Sequence, residues 1–209
     1  MKARGFAAAL ALAAPLWAAA SAPPPAAVQS LLQWLQQSED NEGAPFAVID
    51  KRDARLWLFD AQRRPVGATP VLLGQAQGDA SVPGIGEREM SQIQPHERIT
   101  PAGRFVAEPG RNAAGEEIFW IDYDAAVSLH RLRPSDPAER RPQRLASATP
   151  ADNRISYGCI NVPVAFFTQQ LMPLFASGRG VVYLLPEILP TGLLFTPGQR
   201  PLEGAAASD

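Results

Sequence analysis

Ile155-Ser156-Tyr157-Gly158-Cys159-Ile160-Asn161-Val162-Pro163 carries the only cysteine of the 209-residue chain. A short apolar entry and a glycine lead to the thiol, and a proline-started helical pattern follows it. A thiol ahead of a helix sits where backbone N–H groups and the helix dipole favour the thiolate, the nucleophilic form. Glycine at 158 allows close backbone approach to a substrate, and neighbouring N–H groups can face a developing oxyanion. The plainer alternative is that Cys159 is a small buried hydrophobe, as free cysteines commonly are.

The N-terminus bears on that choice. Lys2 and Arg4 precede an apolar run from Gly5 to Trp17, and Ala18-Ala19-Ala20-Ser21-Ala22 follow. A charged start, a short apolar stretch and a small-residue cleavage site read as a secretory signal peptide over residues 1–22. The run is too short for a comfortable membrane span, so no stable span is expected after cleavage. The alternative is an uncleaved N-terminal anchor. An unpaired cysteine in an exported protein points to a reactive thiol or an intermolecular partner. Losing Lys2 and Arg4 moves the formal charge from −2 to −4, and a mildly acidic chain gives no support to nucleic-acid binding. With one cysteine there is no internal disulfide, and no Cys/His cluster suggests a metal; no cofactor is expected.

Residues 23–44 read as a linker and a short amphipathic helix: Pro23-Pro24-Pro25 is a stiff spacer, and Val28, Leu31, Leu32 and Leu35 fall at helical spacing over 27–38. Residues 45–186 read as one mostly β domain with a few helices, its sheet largely antiparallel and curled or stacked to bury one face. Phe46–Asp50 and Arg55–Phe59 make the first hairpin, and Gly67–Leu73 follows as a third strand. A polar loop from Gly74 to Ile99 holds His96. Further strands are expected around Arg104–Ala107, Ile118–Ile121 and Val127–His130, and a last one at Val181–Leu185. Val164, Phe167, Leu171, Leu174 and Phe175 share a helical face, with Pro163 in the first turn and Pro173 expected to kink or shorten the helix. Residues 187–209 read as a C-terminal tail with little regular pattern.

A cysteine nucleophile needs a base that takes the thiol proton and returns it to the leaving group, and histidine suits that near neutral pH. The chain has two histidines. His130 follows a strand-like segment upstream of Cys159, whereas His96 lies in the polar loop and reads as solvated or structural. Arg131–Pro150, with five arginines, two acidic residues and four prolines, reads as a loop: either a basic lid or a solvated decoration.

Ser156, Gly158, Cys159, Ile160 and Asn161, with His130 upstream, resemble the signature of the L,D-transpeptidase catalytic domain family. That signature runs His-Gly, a spacer, then Ser/Thr-His-Gly-Cys, a hydrophobic residue, and Asn or Arg. Tyr157 stands where the second histidine usually sits, Arg131 replaces glycine, and the spacer is longer. Thr100-Pro101-Ala102-Gly103-Arg104-Phe105 resembles the family's Thr-Pro-x-Gly-x-Phe element. The resemblance spans about Phe46 to Pro186. It implies a curled β-sheet or sandwich in the periplasm or cell wall, acting on peptidoglycan stem peptides. Cys159 would be the nucleophile of a cysteine-dependent acyltransferase and His130 its general base and acid. Ser156 would orient His130 or merely satisfy the turn. Tyr157, Gly158 and Asn161 would serve the oxyanion or substrate. An L,D-carboxypeptidase or murein hydrolase on the same fold, and a non-catalytic murein-binding protein, are the alternatives.

Overall fold

Runs such as Phe46-Ala47-Val48-Ile49 and Val181-Val182-Tyr183-Leu184 suit strands covered on both faces, whereas Arg104-Phe105-Val106-Ala107-Glu108 alternates as a half-covered strand does. The computed structural model describes residues 23–133, 136–176, 178 and 180–195; the expected signal peptide and the end of the expected tail lie outside these. The strands are β1 (Phe46–Asp50), β2 (Arg55–Phe59), β3 (Pro65–Pro70), β4 (Leu73–Gly74), β5 (Gly103–Arg111), β6 (Glu117–Asp122), β7 (Val127–Arg131), β8 (Arg154–Ser156), β9 (Ile160–Val162) and β10 (Gly180–Leu184). Eight of them form one sheet in the order β3-β2-β1-β10-β5-β6-β7-β9, antiparallel except at β1–β10 and β7–β9. A separate parallel pair joins β4 to β8. The helices are α1 (Ala26–Ser38), α2 (Arg141–Leu145), α3 (Val164–Phe166), α4 (Met172–Phe175) and α5 (Thr191–Leu194).

One face of the sheet curls around the α3–α4 segment. Ile49 and Leu56 from one half and Phe119, Leu129 and Ile160 from the other meet Phe166, Phe167, Leu171 and Phe175 in a single buried cluster. On the opposite face α1 covers only the β2-β1-β10 half, placing Leu31, Trp34 and Leu35 against Phe46, Phe59 and Tyr183. Its end is fixed by Asp40, which accepts hydrogen bonds from Arg104 Nε and the Tyr183 hydroxyl, each at 2.7 Å. The fold is therefore mostly β, with the β2-β1-β10 half of its sheet covered on both faces and the β5-β6-β7-β9 half not reached by α1.

Several expectations need correction. The third strand ends at Pro70, and the chain resumes as β4 in the separate pair. The arginine-rich stretch is not loop throughout, because it holds α2, started by Pro142 in the first turn where its missing N–H costs nothing. The helix after Cys159 is neither broken nor confined to one simple face. Phe167–Leu171 form a π turn, whose extra residue widens the helix ahead of Pro173 and lets it continue to Phe175. That turn rotates the buried face onto Phe166, leaving Val164 exposed. Between Cys159 and α3 lies β9, so the amides nearest the thiol belong to a turn and a strand rather than to a helix end. At the start of the expected tail, the N–H groups of Glu187, Ile188 and Leu189 all bond to the Asp79 carboxylate.

Lys51 lies beneath that strap with no exposed surface. Its ammonium donates to Gly78 O (2.5 Å), Asp79 Oδ1 (2.9 Å) and Thr100 O (2.9 Å), with Glu187 Oε1 at 3.5 Å. Arg154 pairs with Glu187 and also donates to Lys51 O. Burial pulls the Lys51 pKa down, and Asp79 opposes it; burial likewise works against the Asp79 carboxylate, which its N–H donors and Lys51 hold below its usual range. Removing one member of a buried charge cluster strands the others. Lys51→Met is expected to lower the unfolding free energy by about 3–5 kcal/mol in urea titration, whereas Arg64→Met, which breaks an exposed pair with Asp60, is expected to cost no more than about 1 kcal/mol.

Candidate functional site

Cys159 leaves β8 through a turn that only glycine fits. Gly158 has φ 130°, and a Cβ there would lie 2.8 Å from the Ile99 carbonyl oxygen. Ser156 staples the turn: its hydroxyl donates to Cys159 O at 2.6 Å and accepts from Gly158 N–H at 3.1 Å. Ser156 thus satisfies backbone groups and makes no hydrogen bond to His130. Buried Thr100, from the Thr-Pro turn, donates to Gly158 O and accepts from Gly74 N–H, each at 2.8 Å. With Gly158 N–H committed to Ser156, the Tyr157 and Cys159 amides are the ones left without a protein acceptor among the described residues.

Strand pairing decides what faces the thiol. His130 pairs with Asn161 in the parallel β7–β9 ladder, and Trp120 of β6 pairs with Ser128 of β7. Side chains two apart on a strand share a face, so Ser128, His130, Cys159 and Asn161 all project from the opposite face while Leu129, Ile160 and Val162 enter the core. The half-exposed Cys159 sulfur lies 3.5 Å from Ser128 Oγ and 3.7 Å from Ala126 O. Among the described residues no hydrogen bond joins it to His130. The imidazole donates from Nδ1 to Arg131 O at 2.8 Å, which leaves the Nε2 lone pair facing Asn161 Nδ2 at 3.5 Å. Asn161 Nδ2 also donates to Cys159 O at 3.3 Å, and Arg141 Nη1 on α2 donates to Asn161 Oδ1 at 2.9 Å. Asn161 is thus enclosed, touching His130, Arg141 and Cys159 O rather than open space.

Burial dominates the electrostatics of His130 and pulls its pKa down to about 4; its bond to Arg131 and the nearby Glu116 oppose this, and Arg133 and Arg141 reinforce it. The imidazole is neutral at pH 7 and able to accept a proton. Tyr157, half-exposed, lies flat beneath the Arg98 guanidinium, 3.9 Å from the ring centre. His96 is exposed on the turn Pro95–Glu97. Among the described residues, no group of three or more His, Cys, Asp or Glu side chains is placed to hold a metal.

One strand over from Ser128, around Trp120, the same face carries a cleft of about 830 Å³ that neither Cys159 nor His130 lines. The register Glu108–Trp120 continues the pairing Trp120–Ser128, so Glu108, Trp120, Ser128 and Cys159 form one row across the sheet. Trp120 stacks on Tyr123 at 5.0 Å, and Asp122, Asp124 and Glu87 complete an acidic rim. Sequence reasoning missed Ser128, Thr100, Arg98 and Arg141 as neighbours of the motif. The two-residue spacing of Ser128 from His130 in a strand was a usable signal; for Arg141, twenty residues from Asn161 in an irregular stretch, there was none.

The chain matches no protein-family model and no curated protein sequence. Among solved structures it resembles the catalytic domain of an L,D-transpeptidase from E. faecium at 17% identity and TM-score 0.40, covering 68% of this chain and 98% of that one. It also resembles an L,D-transpeptidase from Xylanimonas cellulosilytica at 14% identity and TM-score 0.40, covering 68% of this chain and 60% of that one. At such identities the chemistry has to be read from this chain's own side chains.

The low basicity of His130 has a measurable consequence. The unfolded chain takes up a proton near pH 6.5 and the folded chain only near pH 4, so stability is full above pH 6.5 and falls as the pH drops between these values. The loss attributable to His130 is expected to reach about 3 kcal/mol. Unfolding titrations of the wild type and His130→Gln from pH 7 to pH 4 should diverge by that amount, the variant being the less pH-sensitive.

Proposed function

We propose that the chain is a cysteine-dependent acyltransferase of the L,D-transpeptidase type, exported to the periplasm or cell wall and acting on peptidoglycan tetrapeptide stems. The observation that carries the reading is the accessible Cys159 thiol, held by a glycine turn on the same sheet face as the neutral His130. The likeness of the Ser156–Asn161 and Thr100–Phe105 elements to the family signature supplies the substrate class. Export rests on the sequence of residues 1–22, outside the described part of the chain.

In this reading Cys159 attacks the carbonyl that precedes the terminal D-alanine. His130 takes the thiol proton and returns it to the departing amine as the C–N bond breaks and the thioester forms. The Tyr157 and Cys159 N–H groups are the donors available to the oxyanion. An amine from a second stem then attacks the thioester, its proton leaving through His130 as the thiol is restored. Water in place of the amine would make the same site a carboxypeptidase.

One observation favours a second reading, a murein-binding protein without catalysis: His130 Nε2 faces Asn161 and makes no hydrogen bond to the thiol. Intact mass after incubation with a carbapenem, an acylating analogue of the stem, distinguishes the two. The enzyme reading expects a single adduct, absent in Cys159→Ala and formed at least about 100-fold more slowly in His130→Ala. A folded protein with a titratable thiol and no adduct, which also leaves muropeptides unchanged, would favour binding.

A further inference from the structure

The segment between β7 and β8 departs from the family's spacing, and it is hydrogen-bonded to Asn161 through Arg141. Arg141, at the start of α2, is held by Glu139 (Nε to Oε2, 2.6 Å) and places Nη1 2.9 Å from Asn161 Oδ1. An amide has one accepting and one donating end. With Oδ1 taken by a guanidinium, the NH₂ end must point the other way, where it meets Cys159 O at 3.3 Å and His130 Nε2 at 3.5 Å. Asn161 is 1% exposed, so no water competes for either end.

We propose that Arg141 is a positioning residue that locks the Asn161 amide with its N–H toward His130 Nε2, and so withholds the base from the Cys159 proton until the arginine-rich segment releases its hold. The inference rests on the thiol–imidazole chemistry proposed above. A donor facing Nε2 suits the neutral ring and opposes a proton there. The reversed amide would present Oδ1 instead, and that oxygen would accept a hydrogen bond from a protonated Nε2. The lock therefore works on protonation and not only on shape. The charged groups facing His130 are Glu116 from the β5–β6 connection, Arg133 after β7 and Arg141 itself, with the Cys159 thiol next to the paired strand. Arg133 is held by Glu116 at 2.8 Å, whereas Arg141 alone reaches the amide.

The test is a side-chain NMR titration of His130 in the full-length mature protein, which needs no substrate. Arg141→Met is expected to raise the His130 midpoint by about one pH unit or more, and to raise the rate of Cys159 alkylation by iodoacetamide at pH 5–6 by about ten-fold. Exchange of the Asn161 side-chain NH₂ with solvent should rise by a similar factor in the same variant. In an Asn161→Ala background the same substitution is expected to shift the midpoint by no more than about 0.3 units, because the arginine acts through the amide. Equal shifts in both backgrounds would mean that Arg141 acts only by its charge, and would overturn the proposal. An unchanged midpoint with unchanged Asn161 exchange in folded Arg141→Met would overturn it even where Asn161→Ala fails to fold. Neither result depends on acyl transfer, so a failed carbapenem reaction and a failed lock are separate outcomes.

Discussion

An ammonium group sealed from water needs an acceptor for each of its three N–H bonds, and Lys51 finds them on two separate pieces of chain. Gly78 and Asp79 bring in the loop after β4, and Thr100 brings in the turn before β5. Through Asp79 and Glu187 the segment after β10 is drawn over the same charge. Thr100 then carries the constraint to the thiol, because the residue whose carbonyl meets Lys51 also has the hydroxyl that holds Gly158. The cysteine turn is therefore anchored from behind by a charge cluster in the fold's interior. Its shape is set by groups that never face the cleft.

The two sides of the sheet divide the labour of the molecule. Where α1 covers the second face, the strand centres are apolar and contribute mainly packing. Where α1 does not reach, alternate residues are polar, and Ser128, His130 and the cysteine stretch occupy those positions, several of them buried by the segments around α2. That division was legible in outline. The unbroken runs of β1 and β10 and the alternation in β5 identify covered and half-covered strands, and the α1 spacing identifies an amphipathic helix. What could not be read depended on tertiary competition. The π turn ahead of Pro173 forms because the helix face is buried on both sides of the proline, and α2 forms within a stretch whose composition alone favours irregular chain. The Cys159 environment was half legible: the motif points to thiol, turn and histidine, but the hydrogen-bond partners of each were decided by strand register and by Arg141.

The site is poised by burial more than by charge pairing. A histidine desolvated as far as His130 stays neutral under physiological conditions, which keeps a lone pair available but makes it a weak acceptor. Such a base becomes effective when water is excluded and the donor proton is brought within reach. Asn161 occupies that place in the resting arrangement. The geometry is that of a site whose components share one face but are not yet joined.

The row from Cys159 through Ser128 and Trp120 to Glu108 runs across the strands, not along them. Between Ser128 and Glu108 its backbone groups are used in the ladder, so an extended ligand lying there would be held by side chains. With strands about 4.8 Å apart, the three steps span roughly 14 Å, the length of about four extended residues. If this face binds an extended chain, Trp120 and Glu108 would set how far from the thiol it is gripped without altering Cys159, so reach and chemistry would vary independently.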